Sequence, residues 1–126
     1  ARAAIDPEEM LPAVAQGAIG IERREGAARV ADMLAAIHDH PTGERLAAER
    51  AFLATLDGSC ETPIAGLAEV TNGTLRLRGE ILRPDGSEVL TEEASAPVED
   101  AEELGETLAG RLLARAPADF FDWRAA

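Results

Sequence analysis

Ile64-Ala65-Gly66-Leu67-Ala68-Glu69-Val70-Thr71-Asn72-Gly73-Thr74-Leu75-Arg76-Leu77-Arg78-Gly79-Glu80-Ile81-Leu82 decides the fold of this 126-residue chain. Asn72-Gly73 sits at its centre. Both central residues of a type I′ turn need positive φ, which Asn and Gly tolerate best, so the pair predicts a tight hairpin. The run before it, Ile64 to Val70, reads as one strand. The run after it, Thr74 to Leu82, reads as the next. In that second run Leu75, Leu77 and Ile81 alternate with Arg76, Arg78 and Glu80, so one face is buried and the other wet. Pro84-Asp85-Gly86 is a further turn, and a third strand follows over about Glu88 to Ser95. Three short strands joined by tight turns predict an antiparallel meander.

The segments on either side have helical spacing. Upstream, a helix is expected from about Thr42 to Leu56. Leu46, Ala47, Arg50, Leu53 and Ala54 share one side, and Ala48, Phe52 and Leu56 widen the apolar arc, which implies burial on more than one flank. Gly58 is the expected stop, because glycine accepts positive φ. Downstream, Asp100-x-x-Glu103 has the form of a capping box. It opens a helix whose Ala101, Leu104, Leu108 and Leu112 line one face, and Pro117 ends it. Phe120, Phe121 and Trp123 follow.

Nearer the N-terminus, residues 1–17 show no period and are punctuated by Pro7 and Pro12. Ala18–Arg23 reads as a short strand. A helix from Gly26 to about His38 places Ala27, Val30, Ala31, Leu34 and Ile37 on one face. Pro41 is expected to stop it, leaving His38–Gly43 as a linker-like break. The fold class is therefore α+β: a small three-stranded antiparallel sheet with helices on one face and the other face open, preceded by a strand-helix segment.

Composition narrows the function. The chain has 24 acids against 12 bases, a net charge of −12. Such a surface repels phosphate backbones and anionic lipid, which argues against nucleic-acid and membrane-surface partners. Aromatic residues are only 3% while apolar residues reach 46%, so the core must come from Leu, Ile, Val and Ala. One cysteine excludes an intramolecular disulfide and suits a reducing cytoplasm. No apolar run approaches the roughly 18 residues of a membrane span. The N-terminus has neither the apolar core of a secretory signal nor a starting methionine, as expected of a segment from a longer protein.

Several residues could carry chemistry. A lone cysteine is usually a small buried hydrophobe. Cys60, however, stands between Gly58-Ser59 and Thr62-Pro63, which places it at a loop tip. The C-terminal end of a helix disfavours an anion, so any thiolate there would need help from elsewhere. Gln16 and Gly17 read as loop residues before a strand. Arg23 and Arg24 read as solvated or paired with Glu22 and Glu25. Arg45, Glu49 and Arg50 have the spacing of helix-surface pairs. His38 and His40 form an H-x-H pair, but no further ligand stands at usable spacing. They read instead as residues at a helix C-terminus, and no metal site is expected. Gly17-x-x-Gly20 precedes a strand rather than a helix, so it is no phosphate loop.

Three stretches together resemble the porphobilinogen deaminase (hydroxymethylbilane synthase) family. They are Leu56-Asp57-Gly58-Ser59-Cys60-Glu61-Thr62-Pro63-Ile64, the run Leu11-Pro12-Ala13-Val14-Ala15-Gln16-Gly17-Ala18-Ile19-Gly20-Ile21-Glu22, and the helix Glu44–Phe52. Proteins of that family are more than twice this length, so the resemblance is to their C-terminal portion. It implies an enzyme that polymerises four porphobilinogen molecules into linear hydroxymethylbilane. It implies a dipyrromethane cofactor held by a thioether at Cys60, with Gln16 and Gly17 beside the cofactor and substrate cleft. The catalytic residues and most carboxylate-binding arginines would lie upstream, so this segment alone would be inactive.

The resemblance further implies a division into residues 1–40, the end of the N-terminal domains, and 41–126, the cofactor-anchoring domain. The partners would be porphobilinogen, the growing polypyrrole and the missing N-terminal domains, in a monomeric parent. The competing expectation is a free-standing acidic α+β interaction module without catalysis.

Overall fold

The computed structural model describes residues 2–58 and 62–122. In chain order the elements are α1 (Ala28–Ala35), α2 (His40–Thr55), β1 (Ile64–Thr71), β2 (Thr74–Leu82), β3 (Val89–Pro97), a 3-10 turn (Val98–Asp100) and α3 (Ala101–Arg115). The strands form one antiparallel sheet in the order β1-β2-β3. Helices α2 and α3 pack on each other and on that sheet. The architecture is the α+β class expected.

The hairpin follows its turn chemistry. Thr71 pairs with Thr74, and Asn72 and Gly73 between them take φ of 50° and 74°. At the second turn Gly86 takes φ 72°. There the Asp85 carboxylate accepts from the Ser87 backbone N–H at 3.0 Å. Along β2, Leu75, Leu77 and Ile81 are fully buried as expected, but the opposite face is not uniformly wet, because Arg78 is only 8% exposed. On the opposite face Arg76 grips Glu93 with two hydrogen bonds of 2.8 Å. Arg78 pairs with Glu69 at 3.0 Å and with Glu8, from the N-terminal segment, at 2.7 Å.

The core lies between the helices and the sheet. Phe52, Leu56, Leu108, Leu112 and Phe120 are its large helix-side members. Phe52 lies over the centre of the sheet, where Gly66 of β1 is paired with Gly79 of β2. A methyl group added at Gly79 would lie 2.4 Å from Phe52 Cζ. Where α3 crosses α2, a methyl at Gly105 would lie 2.3 Å from the Ala48 carbonyl oxygen. These glycines are the space into which the ring and the neighbouring helix fit.

Helix boundaries correct several expectations. Pro41 does not lie in a linker; it sits in the first turn of α2. Proline is tolerated there because its missing N–H would have no helical acceptor. Asp39 is the N-cap, accepting from the Thr42 N–H at 3.1 Å and from the Thr42 hydroxyl. His40 therefore opens a helix and His38 lies beyond the end of α1, so neither is at a helix C-terminus as expected. At the other end of α2 the left-handed residue is Asp57, with φ 53°, not Gly58. The Gly58 N–H reaches the Leu53 carbonyl and the Asp57 N–H the Ala54 carbonyl, the two bonds of a Schellman end. Gly58 is small for another reason: a methyl there would lie 2.4 Å from Leu53 Cδ1.

The deepest face of α2 is Ala48, Phe52 and Leu56, while Leu46 and Leu53 are half-buried and Ala54 and Arg50 exposed. Packing against α3 as well as the sheet sets that line. The Asp100 side chain makes no capping bond to α3; a 3-10 turn leads into the helix instead. Pro117 follows the end of α3, as expected. Beyond it, Phe120 is buried under the Arg83 guanidinium, 5.0 Å from the ring centroid. Trp123 lies outside the described residues.

The strand expected over 18–23 does not form. A strand needs a ladder partner, and this segment pairs with neither outer strand of the sheet. Ile19 is 90% exposed. The helix expected over 26–38 is realised as the shorter α1, none of whose residues is buried.

Asp39 supports a pH prediction. The Thr42 hydroxyl, then the Thr42 backbone N–H, hold its carboxyl below the ordinary carboxylate value. A depressed folded value contributes stability that is present above the unfolded value and lost as pH falls through the folded one. Asp39→Asn keeps a capping oxygen but does not titrate. The variant is expected to lose less melting temperature than wild type on acidification through about pH 4 and below. Parallel thermal melts across that window measure it; identical pH slopes would contradict the assignment.

Candidate functional site

A cleft of about 630 Å³ lies between the N-terminal segment, the two N-terminal helices and β1. Gln16, Gly17, Ile19 and Ile21 form one wall; Leu34 and Ile37 another. Thr42, Arg45, Leu46 and Glu49 of α2, with Gly66 and Leu67 of β1, complete it.

The Gln16-Gly17 wall is built by two successive turns. The Gln16 N–H reaches the Ala13 carbonyl and the Ala18 N–H the Ala15 carbonyl, both at 3.1 Å. Ala15 and Gly17 take φ of 61° and 79°. A side chain at Gly17 would strain that backbone, although no atom of the described residues stands within 4 Å of the space. Gly17 is thus a glycine for its conformation here. Both Gln16 and Gly17 are exposed.

Glu49 carries the loop. It is only 5% exposed. One carboxylate oxygen accepts from the Ala15 N–H at 2.7 Å, the other from the Ala68 N–H of β1 at 2.8 Å. Beside it the Gly66 N–H donates to the Pro12 carbonyl at 3.0 Å. Leu11 is buried next to these bonds, and Val14 packs against the core. The expectation that Glu49 makes a helix-surface pair with Arg45 is overturned: burial and two backbone donors take its carboxylate instead. Arg45 bonds the Thr42 hydroxyl at 3.2 Å. A signal did exist in the sequence. Leu46, Glu49 and Leu53 are spaced i, i+3, i+7, so the acid falls on the apolar arc.

Cys60 lies outside the described residues. Its loop leaves α2 through the Schellman end at Asp57-Gly58 and enters β1 at Ile64. Near that entry the Leu82 N–H donates to the Pro63 carbonyl at 3.0 Å. The loop thus springs from two anchored ends of the core. Arg23 and Arg24 are exposed and do not line the cleft. His38 lines it, with the His40 ring edge-on at 4.8 Å between centroids. Among the described residues no three His, Cys, Asp or Glu side chains converge as metal ligands, and no helix is long and apolar enough to cross a membrane.

The donor chemistry of the cleft is restricted. Its described lining is apolar or neutral except for Arg45, His38, Asp39 and Glu49. Arg45 can meet one carboxylate in a planar fork. A ligand with several carboxylate arms would need further cations from outside these residues.

Comparison with known proteins shows what the chain is similar to. The family described as "Porphobilinogen deaminase, C-terminal domain" matches residues 44–114. The porphobilinogen deaminase of Paracoccus denitrificans (strain Pd 1222) is 63% identical over 123 residues, which is 98% of this chain and 39% of that protein. The chain therefore spans well under half the length of this curated relative.

Proposed function

The chain belongs to the porphobilinogen deaminase family, of which it contains the C-terminal domain, and on that premise we propose that it is the cofactor-anchoring part of a hydroxymethylbilane synthase. The parent protein polymerises four porphobilinogen molecules into linear hydroxymethylbilane, releasing ammonia, on the path to tetrapyrroles. The observation that carries this reading is the Leu56–Ile64 loop: its thiol, Cys60, falls inside the matched span 44–114.

In this reading Cys60 holds a dipyrromethane through a thioether, and that group serves as the primer on which the chain grows. Gln16 and Gly17 line the cleft beside it. Residues 1–40 end the upstream domains, and 41–126 form the anchoring domain. The one guanidinium in the described cleft lining accords with a carboxylate-binding set placed mostly upstream. The catalytic residues are expected upstream as well, so this segment is expected to be inactive alone. The parent works as a cytoplasmic monomer without nucleic-acid or membrane partners, and the net charge of −12 on this segment disfavours polyanionic partners of those two kinds.

Intact-mass analysis of the full-length parent tests this. A two-pyrrole adduct is expected, mapping to the peptide that contains Cys60, and Cys60→Ala should remove both adduct and porphobilinogen consumption. An active parent whose Cys60 peptide is unmodified would refute the reading. The 126-residue chain alone should show a free thiol and no turnover, since preorganised groups that stabilise developing charge are lacking.

A further inference from the structure

We propose that Glu49 is a positioning residue whose buried carboxylate sets the Gln16-Gly17 loop against the strand that follows the Cys60 loop. The inference rests on the reading of Gln16 and Gly17 as lining the substrate cleft. Three pieces of chain meet at this one side chain: α2, which carries it, the loop through the Ala15 N–H, and β1 through the Ala68 N–H. Ala15 is the residue immediately before Gln16 and itself takes a left-handed φ of 61°. A non-glycine residue holds that conformation only where surrounding contacts over-determine it. The bond from Glu49 is such a contact, and the Pro12–Gly66 bond is another.

The geometry uses what a carboxylate alone offers among side chains of this length: two acceptor oxygens and no donor. Two buried backbone N–H groups from distant segments each take one. A carboxamide presents one acceptor and one NH₂, which would face an N–H. Aspartate keeps both acceptors but is one methylene shorter and cannot span the same pair without movement of α2. Loosening the Ala15 bond frees the loop that follows it, while the core beneath Phe52 is untouched.

The test uses the full-length parent with Glu49→Gln. Hydrogen exchange at the Ala15 amide is expected to accelerate by about tenfold or more, as for loss of one charge-assisted bond in a locally opening segment. KM for porphobilinogen is expected to rise about threefold or more with kcat within about twofold, the signature of weakened binding rather than altered chemistry. Unchanged exchange at Ala15, or faster exchange with an unmoved KM, overturns the proposal. Should Glu49→Gln fail to fold, Glu49→Asp takes the same two measurements. The function reading fails separately: it falls if wild-type parent carries no two-pyrrole mass and consumes no porphobilinogen. The Ala15 exchange comparison still decides whether Glu49 holds the loop.

Discussion

Phe52→Ala is expected to cost about 3–5 kcal/mol of unfolding free energy, the range for deleting a buried aromatic ring. The upper end applies here. The ring is fully buried, and its floor is the Gly66–Gly79 pair, which has no side chains to collapse into the space. A residual cavity therefore remains, and the cost grows with cavity volume. Against a typical total of about 5–15 kcal/mol, that removes a large share of the stability. Urea unfolding of wild type and variant measures it through the shift in midpoint at constant slope. A loss under about 1 kcal/mol would show that the sheet has closed up beneath the missing ring, contrary to the geometry.

The second large effect separates two glycines of one helix. Gly105→Ala places a methyl 2.3 Å from the Ala48 carbonyl and 2.9 Å from Ala51 Cβ. Backbone cannot rotate aside, so α2 and α3 must part along their whole contact. Such overpacking costs about 1–3 kcal/mol and occasionally more, which outweighs the roughly 1 kcal/mol that alanine gains over glycine in a helix. Gly110, five residues on, is exposed, and a methyl there meets nothing within 4 Å among the described residues. There only the helix preference remains, and Gly110→Ala should stabilise by up to about 1 kcal/mol. Thermal melts of the two single variants should move in opposite directions. A shift of the same sign in both would mean that the close approach of the helices is not what Gly105 provides.

Legibility tracked how local each determinant is. The meander was readable because its turns are written in adjacent residues: Asn72-Gly73 and Pro84-Asp85-Gly86 dictate φ on their own. The buried stripe of α3 was readable from spacing. The start of α2 was misread because Pro41 has two meanings, helix stop and first-turn residue, and the choice depends on whether Asp39 caps Thr42. Glu49 was misread because its partners lie 34 and 19 residues away; locally, Arg45 looked like the obvious match. Gly66, Gly79 and Gly105 carry no local signal either, since each is small for the sake of a side chain or helix met only after folding. Ala18–Arg23 has the composition of a strand, but composition cannot supply a ladder partner. The Gln16-Gly17 pair stood out by resemblance to a family, not by spacing.

The outward N–H groups of β1 at Gly66 and Ala68 are already engaged by the Pro12 carbonyl and the Glu49 carboxylate. An incoming extended chain, whether a second copy or an unfolded neighbour, would find no free donors at those two positions. Sheets that grow by accretion need such donors in an unbroken row. On its β1 side the row is thus interrupted at two positions by bonds from its own chain. Any variant that releases Glu49 would open a template for misassembly at the same place where it frees the loop.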